Sequence, residues 1–425
     1  MQRRHVMLAA VFVSVVVNYL DRTNMVVAAV ELRRDLGLSQ IELGLVFSAF
    51  AWSYSLLQIP GGILVDRISP RILYPILLAG WSIATIIQGF ASSLLLLLIC
   101  RVFVGIFEAP SFPINNRVAT SWFPEQERAG AIGSYTAGQF LGLAVLAPIL
   151  FWVQQLWGWR VLFFVCGFAG LLWAWVWHVV YRDPLDDAKM TDSELALLRE
   201  GKAAVEWQPR QNDAEVRKGW PRFPVALFHR KLVGLYIGQF CIGSVSIFFL
   251  TWFPTYLVES RGVALDRAGW MTALPFLAAM GGVVFAGRLS DTLIKREYSP
   301  SVARKLPVLC GLALSSVILL AAFARSDAAA LTAMSIAFFG NGMASIAWVF
   351  VSLLAPEGRV GLAGGIFNFC GGLSAIVTPL VIGAILSTND FTYVLVYMAT
   401  MAVVGMAAYL VLIGKVQRVS AESGQ

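Results

Sequence analysis

Twelve apolar stretches, each about as long as a membrane is thick, dominate this chain and leave few folds open to it. They lie near residues 6–30, 43–65, 72–91, 93–115, 129–152, 160–181, 232–257, 268–287, 305–324, 329–354, 362–386 and 391–414. Crossing a hydrocarbon core of about 30 Å takes about 20 helical residues. Inside lipid, a helix satisfies all its backbone polar groups within the segment. The expected fold is therefore all-α, with twelve transmembrane helices. Composition agrees, since 58% of the 425 residues are hydrophobic and 13% are charged, against about 45–50% and about 25% in soluble domains. These values exclude a soluble enzyme, a disulfide-stapled secreted scaffold and a disordered regulator.

The charge of +7 does not point to nucleic acid, because the basic residues sit between apolar blocks rather than along a stripe. They orient the chain instead. With the N-terminus inside, 24 Lys and Arg fall on the cytoplasmic side and six outside, leaving Arg22 and Arg101 within spans. Short cytoplasmic loops retain positive charge, so both termini are expected to be cytoplasmic. The opening Arg3-Arg4 and apolar run have no small-residue cleavage site, so this run reads as a retained first span rather than a leader. The cysteines, Cys100, Cys166, Cys241, Cys310 and Cys370, each fall in a separate apolar block. They read as small buried hydrophobes, and no pattern asks for a metal or cofactor.

Residues 182–231 form the one long hydrophilic stretch, and Thr191-Asp-Ser-Glu194 within it starts a short helix by a capping box. The expected organisation is a six-helix bundle over 1–181, a cytoplasmic linker over 182–231 and a second six-helix bundle over 232–425. The halves echo each other. Gly62-Ile-Leu-Val-Asp66-Arg67-Ile-Ser-Pro70-Arg71 and Gly287-Arg-Leu-Ser-Asp291-Thr-Leu-Ile-Lys295-Arg296 occupy equivalent connections, with glycine and aspartate in the same register. Internal repetition at this scale is typical of transporters built from two similar bundles.

Ionisable residues inside spans are informative because each costs roughly 2.5–3.5 kcal/mol at the membrane centre. There are four, Asp21, Arg22, Arg101 and Glu108, all in the first half. At 1.5 Å per residue, Asp21 lies about 22 Å into the first span and Arg101 about 12 Å into the fourth, which runs the other way. Both then sit in the outer half, so Asp21 and Arg101 are candidates for an ion pair. Glu108 lies on nearly the same face as Arg101, about 10 Å deeper, and side chains lean toward the helix N-terminus. Glu108 is therefore expected to lack a close cation and to bind a proton. Arg22 is left to receive a carboxylate by bidentate hydrogen bonding. One arginine of this kind suits a single-carboxylate substrate better than a dicarboxylate, and leaves both open. A static network packing the first and fourth spans is the plainer alternative.

These features resemble the major facilitator superfamily, whose loop motif is similar to Gly62–Arg71 and more loosely to Gly287–Arg296. The resemblance implies that Gly62, Asp66, Arg67, Arg71, Gly287 and Asp291 gate the cytoplasmic side without touching substrate. A narrower resemblance lies in Asn18-Tyr19-Leu20-Asp21-Arg22, Tyr54-Ser-Leu-Leu-Gln58-Ile-Pro-Gly-Gly62 and Arg101-Val-Phe-Val-Gly105-Ile-Phe-Glu108-Ala-Pro-Ser-Phe112-Pro113 with Trp122-Phe-Pro124. These stretches look like the anion:cation symporter family. That likeness implies a proton-coupled importer of an organic anion such as a hexonate, hexuronate or glucarate, acting as a monomer in the bacterial inner membrane by alternating access. It further implies substrate contacts at Tyr19, Arg22, Tyr54, Gln139 and Asn368, and proton coupling at Asp21 and Glu108. The depth argument adds Arg101 as the cation that Asp21 would exchange for a proton. Each uncharged residue of this set could instead be an interhelical hydrogen bond.

Two rival transporters remain, an aromatic-acid (phthalate-like) symporter and a drug:proton antiporter. The fifth span ends Ala147-Pro148-Ile149-Leu150, where drug antiporters carry a glycine-proline signature, which weakens the latter. A membrane-embedded enzyme would need a cluster of nucleophiles or bases. The three histidines, His5, His178 and His229, lie apart from the intramembrane acids.

Overall fold

A computed structural model describes residues 2–201, 203–205, 225–356, 360–388 and 390–419. Among these, ten helices are long and apolar enough to cross a membrane. The second and fifth expected blocks fall in helix Gln40–Arg67 and in the first half of helix Glu125–Val180. The chain divides into two compact units, one of residues 1–38 and 49–220, the other of residues 39–48 and 221–425.

In the first unit, α1 (Arg3–Asp35) closes on Arg33 and Arg34, cations placed at the negative end of the helix dipole. It is followed by α2 (Gln40–Arg67), whose first turns belong to the other unit. Ser69 caps α3 (Pro70–Gly89) by accepting from the Arg71 N–H, with Pro70 in the first turn, where a missing N–H costs nothing. Ser93 caps α4 (Leu94–Glu108) in the same manner. Past Glu108 the helix breaks at Ala109-Pro110 and restarts as α5 (Ser111–Trp122), the two together forming one 29-residue span. Next, α6 (Glu125–Val180) covers 56 residues but turns at Gly158, whose φ of 77° and ψ of 171° suit a residue without Cβ. That turn separates the expected fifth and sixth spans.

The hydrophilic stretch forms α7 (Asp192–Glu200), capped by the Thr191 side chain as its sequence leads one to expect. Its Glu194 carboxylate accepts from the Arg3 and Arg4 backbone N–H groups at 3.1 and 2.9 Å, so it caps α1 rather than its own helix. Arg3 pairs with Asp187, and Arg4 with Glu127 at 2.7 Å. Residues 206–224 of the expected linker lie outside the described residues.

The second unit begins with α8 (Arg230–Thr251) and the one-turn α9 (Phe253–Thr255). Then come α10 (Leu265–Lys295), α11 (Pro300–Ser315), α12 (Asp327–Ala344), the short α13 (Trp348–Leu354), α14 (Val360–Thr388) and α15 (Phe391–Ala407). Ser299 and Pro300 start α11 as Ser69 and Pro70 start α3, which extends the internal echo into helix capping. Its core gathers Leu235, Phe350, Phe367 and Tyr409.

Large apolar residues such as Trp175, Trp270 and Phe323 remain exposed on helix faces. In water such surface would be a liability, whereas against lipid it is the favourable face. Not every cysteine is buried as expected: Cys100, Cys166 and Cys241 are, Cys370 is half-buried and Cys310 is exposed. An apolar span signals a membrane helix without saying which of its sides meets lipid.

Candidate functional site

All four intramembrane ions lie in the first unit, but their pairing differs from the one depth arithmetic suggests. Arg22 Nε on α1 donates to Glu108 Oε1 on α4 at 3.1 Å, with the Glu108 side chain 1% exposed and that of Arg22 15%. Glu108 thus has a close cation, and Arg22 is not left solitary. Asp21 and Arg101 form no ion pair among the described residues. Asp21 Oδ1 instead accepts from Thr85 Oγ1 on α3 at 2.9 Å and from Asn24 Nδ2 at 3.1 Å.

The reason lies in helix length and rotation. The structure extends α1 to Arg3–Asp35 and the fourth span to Leu94–Trp122. Glu108 consequently sits midway along its span, level with Arg22. Neighbouring residues on a helix point about 100° apart, so Asp21 turns toward α3 while Arg22 turns toward α4.

Aromatic rings surround the guanidinium of Arg22. Its Cζ lies 4.9 Å from the Tyr19 ring centroid, 5.1 Å from Phe50 and 4.9 Å from Tyr54. Phe50 also receives Arg101, 4.9 Å from its centroid, so one ring on α2 meets both cations. Cation–π contacts strengthen when desolvated, and they lower the cost of holding an arginine here. Phe50 stacks on Tyr54 at 5.3 Å, and Tyr19 Oη donates to Gln139 Oε1 on α6 at 3.0 Å. Four of the five expected substrate contacts, Tyr19, Arg22, Tyr54 and Gln139, therefore share one neighbourhood. The fifth, Asn368, stands exposed on α14 of the second unit.

Several buried polar atoms at this site have no hydrogen-bond partner among the described residues: Arg22 Nη2, Glu108 Oε2, Asp21 Oδ2, and Nε and Nη1 of Arg101. Buried donors and acceptors ordinarily find partners, and exceptions call for an explanation. Here they leave a guanidinium able to donate to an incoming anion and carboxylates able to accept a proton. Close helix approach makes the arrangement possible. A Cβ on Gly105 of α4 would lie 2.6 Å from the Phe50 carbonyl oxygen, so only glycine lets α2 come this near.

The motif residues are placed more simply. Gly62 and Gly287 face open space, where a Cβ would meet nothing within 4 Å. Asp291 accepts from Arg304 Nη1 on α11 at 3.1 Å. Arg67 is exposed, Arg71 gives its backbone N–H to the Ser69 cap, and the Asp66 side chain lies outside the described residues. Arg117 of α5 donates to the carbonyls of Val65 and Ile68 at the end of α2. Sequence reasoning missed Arg117, Thr85, Asn24, Phe50 and Arg304. Their types are common in such segments, and only the helix that each one faces gives it a role. In the second unit, Asn341 donates to Ser246 at 2.6 Å, while Ser374 bonds its own helix at Gly371.

A family model described as Major Facilitator Superfamily matches residues 11–379 and 235–424. The chain belongs to the Major Facilitator Superfamily. This superfamily member is 45% identical over 424 residues to a D-galactonate transporter of Escherichia coli O6:H1, covering 98% of this chain and 97% of that one. It is 36% identical over 410 residues to a probable galactarate/D-glucarate transporter of Bacillus subtilis (strain 168), covering 95% and 90%. Among solved structures it is similar to a bacterial homolog of the human lysosomal transporter Spinster, with a TM-score of 0.76, 19% identity and 96% of each chain covered. It is also similar to a D-xylose-proton symporter, with a TM-score of 0.71, 15% identity and 97% and 98% covered. At such identities the likeness is one of fold. Membership makes the chain a multi-pass membrane transporter and not an enzyme.

Proposed function

We propose that the protein imports a sugar acid of the galactonate or galactarate/glucarate class across the bacterial inner membrane, driven by protons. The observation that carries this reading is the buried pair of Arg22 and Glu108, with one guanidinium nitrogen and one carboxylate oxygen still unpartnered. A substrate carboxylate is the natural competitor for Glu108 at that guanidinium, because the planar fork of arginine matches carboxylate geometry. As the substrate takes Arg22, Glu108 loses its cation in apolar surroundings and binds a proton. Binding of the anion and loading of the proton are thereby linked at one residue pair.

Tyr19, Tyr54 and Gln139 are assigned to the substrate around Arg22, and Asn368 of the second unit is assigned on resemblance alone. Asp21 is assigned a second proton, with Arg101 the nearby cation that favours its release. Gly62, Asp66, Arg67, Arg71, Gly287 and Asp291 are assigned to cytoplasmic gating. The working unit is a monomer of two bundles, 1–181 and 232–425, joined by the cytoplasmic linker 182–231, which open the site to each side in turn. The names of the relatives support the substrate class.

The test is uptake by the purified protein in proteoliposomes under an inward proton gradient. D-galactonate, galactarate, D-glucarate and phthalate are offered in turn. Gradient-dependent accumulation of at least one sugar acid is expected. Accumulation of phthalate alone, or sugar-acid uptake indifferent to the gradient, overturns the proposal.

A further inference from the structure

The two oxygens of Asp21 are treated very differently. Both nearby donors, Thr85 Oγ1 at 2.9 Å and Asn24 Nδ2 at 3.1 Å, point at Oδ1. Oδ2 is buried and has no partner among the described residues. The residue is 2% exposed, with Thr85 at 0% and Asn24 at 1%. The charged and titratable groups facing it are Arg101 and Glu108 of α4 and Cys166 of α6, none of them hydrogen-bonded to it. A carboxylate oxygen has about two lone-pair directions available to donors. Those of Oδ1 are occupied by one donor from α3 and one from α1 itself.

We propose that Thr85 and Asn24 are positioning residues that keep Oδ1 of Asp21 as the accepting oxygen and leave Oδ2 as the atom that gains and loses the transported proton. On loading, a proton from water forms the O–H bond at Oδ2, and Oδ1 becomes the carbonyl oxygen of the neutral acid. On release, that O–H bond breaks, the proton returns to water and the charge spreads over both oxygens. The same two donors serve both states, so neither helix has to move for the proton to pass. Because both hold the ionised form more strongly than the neutral one, they also help the acid discharge. This inference rests on the proton-carrying role of Asp21 proposed above.

The experiment is difference infrared spectroscopy on the full-length protein in lipid, titrated with acid and without any substrate. A carboxylic C=O band that disappears in Asp21→Asn reports the neutral acid. In Thr85→Val, which keeps the shape and removes the donor, the midpoint of this band should rise by about one pH unit. Its stretching frequency should rise as well, because the carbonyl oxygen has lost a hydrogen bond. Thr85→Ser keeps a hydroxyl and should restore both values. A Thr85→Val protein that titrates and absorbs like the unmodified one overturns the proposal, as does a Thr85→Ser protein shifted as far as Thr85→Val. If no titrating band is lost in Asp21→Asn, the underlying assignment of Asp21 fails instead.

Discussion

Arg22 on α1 and Glu108 on α4 meet at 3.1 Å inside the first unit, and each keeps one polar atom without a partner among the described residues. A buried ion pair is a poor way to stabilise a protein, since desolvation of both ions can exceed their attraction. Under the function proposed above, its value is that an incoming carboxylate would compete for one member and a proton would neutralise the other. A static brace between α1 and α4 would have no use for that openness.

Glu108→Gln keeps the shape and removes the charge that a proton would neutralise. Gradient-driven accumulation of substrate should fall to background, while exchange of labelled for unlabelled substrate at equal pH persists. Parallel loss of both activities in a protein that still folds would falsify the proton role of Glu108.

Arg22→Lys keeps the positive charge but loses the planar fork and much of the contact with three aromatic rings. Apparent affinity for the transported acid should drop by about 10- to 100-fold, corresponding to about 1–3 kcal/mol. Binding measured by calorimetry or by protection against thermal unfolding tests this. An unchanged affinity would remove Arg22 from the substrate site.

Gly105→Val tests whether the approach of α2 to α4 sets the site. The first added carbon would already lie 2.6 Å from the Phe50 carbonyl oxygen, against backbone that has little room to yield. Overpacking of this kind costs about 1–3 kcal/mol. The melting midpoint in detergent should fall, and transport should fall further, because Phe50 contacts both arginines. Wild-type melting and transport would show that the helices separate without consequence.

His229 offers a pH-dependent contact outside the membrane spans. Its Nδ1 accepts from the Lys231 N–H at 3.3 Å and caps α8. Burial, followed by the nearby Lys231 and Arg230 charges, holds its pKa below the ordinary 6.5. The folded state thus prefers the neutral ring, so this contribution is complete above the unfolded value. It is lost as pH falls from 6.5 through the lower folded value. Amide exchange at the start of α8 should quicken over that range in the unmodified protein. His229→Asn, which caps without titrating, should show no such change; the same acceleration in this variant would rule the cap out.

Hydropathy alone pointed to an all-helical membrane fold, and ten of the described helices are long and apolar enough to cross a bilayer, because the cost of burying charge or unpaired backbone in lipid acts residue by residue along the chain. The repeated Gly-to-Asp connections and the four intramembrane ions were legible for the same reason: they interrupt or punctuate an apolar background. Who meets whom was not. Asp21 and Arg22 are adjacent in sequence, yet one is held by Thr85 and the other pairs with Glu108. That outcome depends on the rotation of each helix about its axis and on ends that run a few residues beyond the apolar stretch. Residue type, depth in the bilayer and charge balance are properties of the chain, whereas azimuth and neighbour are set only when the helices pack.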